Sequence, residues 1–404
     1  MTSRLVLNHR TSPLPADARP GPQVQAFHQR LPGYAPTPLR DLPDLAAVAG
    51  VERVLVKDES SRLGLPAFKV LGASWATYRA LVERMGREPD WATLDELAAA
   101  IAEQLGPLRL VAATDGNHGR AVARMAHLLG LSATVLVPEG TAEARIDGIA
   151  SEGAEVVVVP GTYDDAVTLS AGMAGERDLV VSDTSWPGYQ DVPGWVIEGY
   201  STIFAEIEAQ LAVPDGRDGE GVGEGDGVEV TDDGVAVRGS AVVDVAVVPL
   251  GVGALGASAG ACLRAGRAPG DGPVLIGVEP ATAACVAAAV EAGHVVEVPG
   301  PHRSIMAGLN CGLASMLALP TVTAAFDAFV AVDDDRCRAG VRALADAGMD
   351  VGETGAAALA GLMAVVDEHR AELPIPEQAT VLLLATEGVT DPANFERIVG
   401  RPPR

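Results

Sequence analysis

The feature that most restricts the fold of this 404-residue chain is a succession of short, nearly unbroken apolar runs rich in β-branched residues. RVLVKD (53–58), LRLVAAT (108–114), SATVLVP (132–138), AEVVVVP (154–160), LVVSD (179–183), VDVAVVPLG (243–251), PVLIGVEP (273–280), DAFVAVDD (327–334) and TVLLLAT (380–386) read as strands. A strand with water on one face alternates apolar and polar residues. These scarcely alternate, so both of their faces must be covered. Between most of them lie Ala- and Leu-rich stretches such as GRAVARMAHLLG (119–130) and EGYSTIFAEIEAQL (198–211), which read as helices. Strand and helix in alternation predict an α/β protein with two open, mostly parallel twisted sheets flanked by helices.

Two stretches stand outside this pattern. Residues 1–45 are proline-rich and read as an arm or an irregular approach to the first domain. Residues 214–239, PDGRDGEGVGEGDGVEVTDDGVAVRG, are acidic and glycine-laden, with little to bury. They read as a flexible surface insertion with a weak hairpin around Asp232–Gly234. The formal net charge of −25 argues against nucleic acid or an anionic membrane as a partner. No run approaches the ~20 apolar residues of a membrane helix, and MTSRLVLNHRTSPLPADARP lacks the apolar stretch of a signal peptide. Cys262, Cys285, Cys311 and Cys337 are widely spaced with no C-x-x-C pair, so no metal site is expected. These observations predict a soluble cytoplasmic protein with reduced thiols.

Lys69 stands alone in LGLPAFKVLGA (63–73), with no charged residue within five positions on either side. It is either a lysine snorkelling from the start of an amphipathic helix or an amine kept partly desolvated. The second makes the amine nucleophilic near neutral pH, as Schiff-base chemistry requires. Three loops that follow predicted strands add candidates, because ligands collect at the carboxyl ends of strands in open α/β sheets. In VVPLGVGALGAS (247–258) the strand runs into glycines and then a helix, an arrangement in which backbone N–H groups bind phosphate. Gly251-x-Gly253-x-x-Gly256 also fits a dinucleotide-binding turn, which leaves a nucleotide-binding module open. In AATDGNHGRAVA (112–123), Asp115 has the chemistry of a base and Asn117 that of a ring-hydroxyl partner; helix capping accounts equally for Asn117. His118 reads as a structural histidine. In VVSDTSWPGYQD (180–191), Asp183 precedes Thr184, Trp186 and Tyr189, which is either a substrate-facing loop or a packed one.

Taken together and in order, PAFK, TDGNHG, the glycine turn and LLLATEG (382–388) resemble the fold-type II pyridoxal-phosphate enzymes. That group holds serine and threonine dehydratases, cysteine synthase and the tryptophan synthase β subunit. VKDESSRLGLPAFKVLGAS, ATDGNHGRAVA, VSDTSWPGY, SIMAGLNCG (304–312) and ETGAAALAGL (353–362) are similar, more narrowly, to the diaminopropionate ammonia-lyase family within it. The resemblance runs from about Tyr34 to Pro392 and is interrupted by the acidic insertion. It departs from the family at Ala73, where a glycine is expected, and in the length of the insertion.

The resemblance implies a large cofactor-binding domain of residues 1–70 and 190–404, a small domain of residues 71–189, and an active site in the cleft between them. It implies that Lys69 carries pyridoxal 5'-phosphate through a Schiff base, that Phe68 walls the ring, and that Asn117 bonds the ring hydroxyl. Gly251, Val252, Gly253, Ala254 and Leu255 would cradle the phosphate, and Thr386 would face the pyridine nitrogen. A neutral hydroxyl there favours β-elimination over transamination. Asp115 stands where plain dehydratases carry a serine, which implies two bases, Lys69 and Asp115, one for each substrate enantiomer. Asp183 would position the β-amine or the substrate ammonium, and Thr184, Trp186 and Tyr189 would contact substrate. An amine leaves well only when protonated, so an acid is needed near the β-carbon, with Asp183 and protonated Lys69 the candidates. The expected reaction converts 2,3-diaminopropionate to pyruvate and ammonia in a homodimer. A serine or threonine dehydratase, or a β-replacement enzyme using the same cofactor, is the nearest alternative.

Overall fold

The computed structural model describes residues 3–114, 116–212, 230–231, 234–235, 243–268, 270–373 and 375–404. Its strands are β1 (Arg4–Leu7), β2 (Leu39–Asp41), β3 (Arg53–Asp58), β4 (Arg109–Ala113), β5 (Ser132–Pro138), β6 (Glu155–Val159) and β7 (Asp178–Val180) in the first half. In the second half they are β8 (Val230–Thr231), β9 (Gly234–Val235), β10 (Val245–Pro249), β11 (Val274–Pro280), β12 (Ala328–Val332) and β13 (Thr380–Ala385). A seven-stranded sheet runs β1-β12-β11-β10-β13-β3-β2, and a four-stranded sheet runs β6-β5-β4-β7.

Every pairing in the four-stranded sheet is parallel. In the larger sheet only the edge strands β1 and β2 pair antiparallel. The apolar runs are buried as their composition requires: all five residues of β10 and all five of β12 are shielded from water. The fold is therefore α/β with two mostly parallel sheets. The four strands of the smaller sheet all lie between residues 109 and 180.

The first forty-five residues are more ordered than an arm. β1 pairs Arg4 with Ala331 through Leu7 with Ala328, and β2 pairs Leu39 with Lys57 through Asp41 with Leu55. Strands of four and three residues carry almost no periodic signal of their own; the ladder offered by β12 and β3 creates them. Val230 pairs with Val235 and Thr231 with Gly234 across the hairpin position read at Asp232–Gly234, and the rest of residues 214–239 lies outside the described residues.

The segment that delivers Lys69 is fastened by buried charge. Lys57 and Arg62 both pair with Glu206, at 2.7 and 2.6 Å, and Arg62 also pairs with Glu59 at 2.5 Å. All four side chains are at most 1% exposed. Removing one member of such a set leaves an uncompensated buried charge, at a cost of about 3–5 kcal/mol. The Lys69–Met85 helix then packs closely on the Asp191–Gly199 helix. At that crossing a Cβ on Gly199 would lie 2.5 Å from the Leu71 carbonyl oxygen and 2.7 Å from Gly72 Cα. Backbone meets backbone there, and glycine is what admits it.

Candidate active site

Lys69 is the first residue of its helix and opens into a cleft at the carboxyl ends of β4, β7, β10 and β13. The cleft encloses about 760 Å³, its open mouth included, and is lined largely by residues that follow strands of both sheets. The chain contains two lysines. Lys57 is fully buried in the charge network, so Lys69 is the lysine that a ligand in the cleft can reach. Its Nζ donates to Asp183 Oδ2 at 2.7 Å and sits 5.7 Å from the centre of the Phe68 ring. The loop is held to β13 by the Phe68 N–H, which donates to the Thr386 carbonyl at 3.4 Å, and by a bridge between Ala67 and Glu387.

Asp183 stands just beyond β7, buried, with Oδ1 accepting from the Tyr163 hydroxyl at 3.2 Å. Burial by itself pushes this carboxyl up. The Lys69 ammonium, aided by His118 and by the hydrogen bonds from Lys69 and Tyr163, outweighs burial and holds it well below the usual carboxylate range. Beside the Lys69 ammonium Asp183 is an anion, which suits it to hold a cation. His118 is buried, pairs through Nε2 with the Val181 carbonyl at 2.8 Å, and is pushed down mainly by desolvation. Its Nδ1 is buried with no hydrogen-bond partner among the described residues.

On the opposite wall, Gly251, Val252, Gly253, Ala254 and Leu255 all line the cleft. Gly253 has φ +101° and caps the Ala254–Arg264 helix, so the turn points the first helical N–H groups at the cavity. A Cβ on Gly251 would come within 3.2 Å of the Gly308 carbonyl oxygen and 3.3 Å of Cys311 Sγ. The backbone is therefore bare at the point where an anion would approach it. This cradle, facing the one reachable lysine, fits an aromatic aldehyde phosphate. Thr386 is buried at the end of β13 and its hydroxyl donates to the Thr354 carbonyl at 3.3 Å. Asn117 begins the Asn117–Leu128 helix after β4, and its Nδ2 donates to Glu387 Oε2.

Nine of the residues singled out from the sequence thus meet in one cleft: Phe68, Lys69, Asn117, Asp183, Gly251, Val252, Gly253, Ala254 and Leu255, with Thr386 a tenth. Asp115 lies outside the described residues. Thr184, Trp186 and Tyr189 are half-buried and are not among the residues that line the cleft. The Trp186 and Tyr189 rings stack at 4.1 Å, and the Tyr189 hydroxyl donates to the Val180 carbonyl at 2.8 Å while accepting from the Ser182 N–H at 3.1 Å. Both bonds tie Tyr189 into the loop that presents Asp183. Sequence reasoning assigned no role to Tyr163, Asn310, Cys311, Thr354 or Glu387, which also line the cleft. Most of these lie in motifs such as SIMAGLNCG, ETGAAALAGL and LLLATEG, so a signal was present without a role attached.

Comparison with known proteins agrees with this geometry. Residues 30–387 match the protein family described as pyridoxal-phosphate dependent enzyme. Over 97% of its length the chain is 34% identical to the diaminopropionate ammonia-lyase of Escherichia coli K12, covering 94% of that protein. It is 33% identical to the enzyme of the same name from Salmonella typhimurium LT2, covering 94% of this chain and 91% of that one. The crystal structure of the Escherichia coli enzyme in complex with D-serine superposes with a TM-score of 0.82 at 30% identity, over 98% of this chain and 97% of that one. A second structure of that enzyme, with an aminoacrylate–PLP azomethine reaction intermediate, superposes with a TM-score of 0.81 at 30% identity, over 99% and 97%.

Proposed function

Since the chain belongs to the pyridoxal-phosphate dependent enzyme family, we propose that it catalyses the α,β-elimination of 2,3-diaminopropionate, giving pyruvate and two molecules of ammonia. The observation that carries this reading is the contact of Lys69 Nζ with Asp183 Oδ2 at 2.7 Å, opposite a glycine cradle. Lys69 would hold the cofactor, the amides of residues 251–255 its phosphate, Asn117 its ring oxygen and Thr386 its ring nitrogen, with Phe68 against the ring. Pyridoxal phosphate, when bound, supplies an electron sink that stabilises negative charge at the substrate α-carbon.

The remaining work falls to the chain's own side chains. Lys69 Nζ takes the α-proton from one face, and Asp115 takes it from the other face for the opposite enantiomer. Asp183, an anion, draws the substrate's β-ammonium to the place that the Lys69 ammonium occupies at 2.7 Å. A hydroxyl at the β-carbon could donate a hydrogen bond to that carboxylate but would lack the charge attraction of an ammonium, which favours a diamino acid over serine. The β-carbon–nitrogen bond breaks with its electron pair leaving on nitrogen, so the β-ammonium departs as neutral ammonia, while the α-proton stays on whichever of Lys69 and Asp115 took it. The 2-aminoacrylate released takes up water and loses the second nitrogen as ammonia, leaving pyruvate. Residues 1–70 with 190–404 would form the cofactor-binding domain and residues 71–189 the small domain.

The deciding experiment offers the cofactor-loaded protein D- and L-2,3-diaminopropionate and L-serine separately, and measures pyruvate and ammonia. Two ammonia per pyruvate from diaminopropionate, with little product from serine, is the expected result. Turnover of serine alone would make the chain a dehydratase, the activity named for the bovine L-serine dehydratase/L-threonine deaminase that is 29% identical over 45% of this chain. The same reading takes the enzyme as a cytoplasmic homodimer. Light scattering on the eluting protein checks the dimer. No helix among the described residues is long and apolar enough to cross a membrane.

A further inference from the structure

We propose that Glu387 is a positioning residue for the cofactor site: its carboxylate fixes which way the Asn117 amide faces, and does so across the junction of the two sheets. The inference rests on the pyridoxal-phosphate reading above and extends it to a residue that takes no part in the chemistry derived there. Glu387 directly follows Thr386, is 1% exposed and lines the cleft. Its Oε2 accepts from Asn117 Nδ2. Its Oε1 makes no hydrogen bond, and Arg145 Nη2 lies 3.8 Å away as the only cation paired with it among the described residues.

The base of this side chain cannot drift. The Glu387 carbonyl accepts from the Gly352 N–H at 3.2 Å, its backbone bridges to Ala67, and the next N–H, of Gly388, donates to the Pro66 carbonyl at 2.8 Å. Gly355 passes so close that a Cβ there would lie 2.2 Å from the Glu387 carbonyl oxygen. Asn117 comes from the other side, at the start of the helix that follows β4 of the four-stranded sheet. A rigid acceptor on one sheet therefore meets a rotatable amide from the other.

A carboxylate can only accept, whereas an amide presents two donors on nitrogen and two lone pairs on oxygen. If the Asn117 amide turned over, its Oδ1 would face Glu387, oxygen against oxygen, and one Glu387 oxygen already lacks a hydrogen bond. The flipped state thus costs the bond and adds a buried repulsion. With Nδ2 committed to Glu387 by one hydrogen, its second hydrogen points away from Glu387, available to an anionic ring oxygen. Without Glu387 the ring oxygen alone must turn and hold the amide, so the ordering of Asn117 is set against cofactor binding.

The test is a titration of the cofactor-free protein with pyridoxal 5'-phosphate, followed by absorbance, with thermal melting of each cofactor-free variant as the fold control. Glu387→Leu removes the acceptor and should weaken cofactor binding about tenfold, the size of one lost hydrogen bond to a charged group. Glu387→Gln keeps an acceptor and should stay within about threefold of wild type. Asn117→Asp sets two carboxylates face to face. Adding Glu387→Gln to it supplies a donor and should recover at least about fivefold of the lost affinity. These last two variants are isosteric with the native residues, so the coupling can be read even where Glu387→Leu fails to fold. Wild-type affinity in Glu387→Leu, a loss in Glu387→Gln as large as in Glu387→Leu, or no recovery in the double variant would each overturn the proposal. No substrate enters the titration, so this result stands apart from whether diaminopropionate is turned over.

Discussion

The ion pair between Lys69 and Asp183 makes a prediction about stability that is independent of catalysis. Consider Lys69→Ala in the cofactor-free protein. The gross attraction of two unit charges 2.7 Å apart at an effective dielectric of ~20 is about 6 kcal/mol, offset by the desolvation both groups undergo on folding. Deleting the lysine removes the attraction and leaves the Asp183 desolvation in place. Such half-deleted buried pairs cost about 3–5 kcal/mol. The Tyr163 hydrogen bond at 3.2 Å persists, which lowers the expectation to about 2–4 kcal/mol at pH 8. The pH dependence follows from the same balance. In the wild type the Asp183 carboxyl is depressed in the folded state, so its contribution is present at neutral pH and lost only as the pH falls below the ordinary carboxylate range. In Lys69→Ala burial becomes dominant and raises the carboxyl. The folded variant then binds a proton that the unfolded chain does not, and it regains stability as the pH falls from 8 towards 5. Denaturant unfolding at a series of pH values reads both effects, and adding Asp183→Asn should restore most of the loss at pH 8. A loss under about 1 kcal/mol at pH 8, or a variant whose deficit does not shrink on acidification, would refute the assignment of Asp183 as a buried anion that depends on Lys69.

Three further expectations concern other parts of the molecule. Asp115→Asn should cut turnover of one diaminopropionate enantiomer by about a hundredfold or more while sparing the other, measured as pyruvate release from each; equal losses on both would exclude separate bases. Gly199→Ala forces a methyl group against the Leu71 carbonyl and should cost about 2–3 kcal/mol in denaturant unfolding, with weaker pyridoxal 5'-phosphate binding because the Lys69 helix must shift; an unchanged midpoint would show that the crossing can open freely. Glu279 is buried beneath the Cys285–Ala292 helix, and burial pushes its carboxyl up to about 8 against the opposing N–H groups of Val286 and Ala287. Its raised value makes the folded protein more stable as the pH falls from 9 to 6, so Glu279→Gln should flatten that slope, and a slope unchanged from wild type would count against it.

Much of the architecture was legible because the core strands are covered on both faces. RVLVKD and SATVLVP coincide with β3 and β5 to the residue, since nothing but a buried strand explains such runs between Gly- and Pro-marked turns. β1 and β2 were hidden, because a short edge strand is defined by its partner's ladder rather than by its own residues. The site was readable for a related reason: Asn117, Asp183, Gly251 and Thr386 each follow a strand closely, where parallel sheets gather their ligands. Tyr163 was not, because it opens a helix twenty residues before Asp183 and reaches it only through the packing of the small sheet. Glu387 was in plain view beside Thr386, but its bond to Asn117 spans 270 positions. At Trp186 and Tyr189 the sequence offered a substrate-facing loop or a packed one; their rings stack on each other and the Tyr189 hydroxyl is tied to Val180.

The claim on which everything else depends is that Lys69 carries the cofactor. Borohydride reduction of the cofactor-loaded protein, followed by proteolysis and mass spectrometry, tests it directly, and with two lysines in the chain the outcome is unambiguous. The expected result is a pyridoxyl group fixed on the peptide that contains Lys69, and none on the peptide that contains Lys57. A label on Lys57, or no label on a protein that has taken up pyridoxal 5'-phosphate, would contradict it.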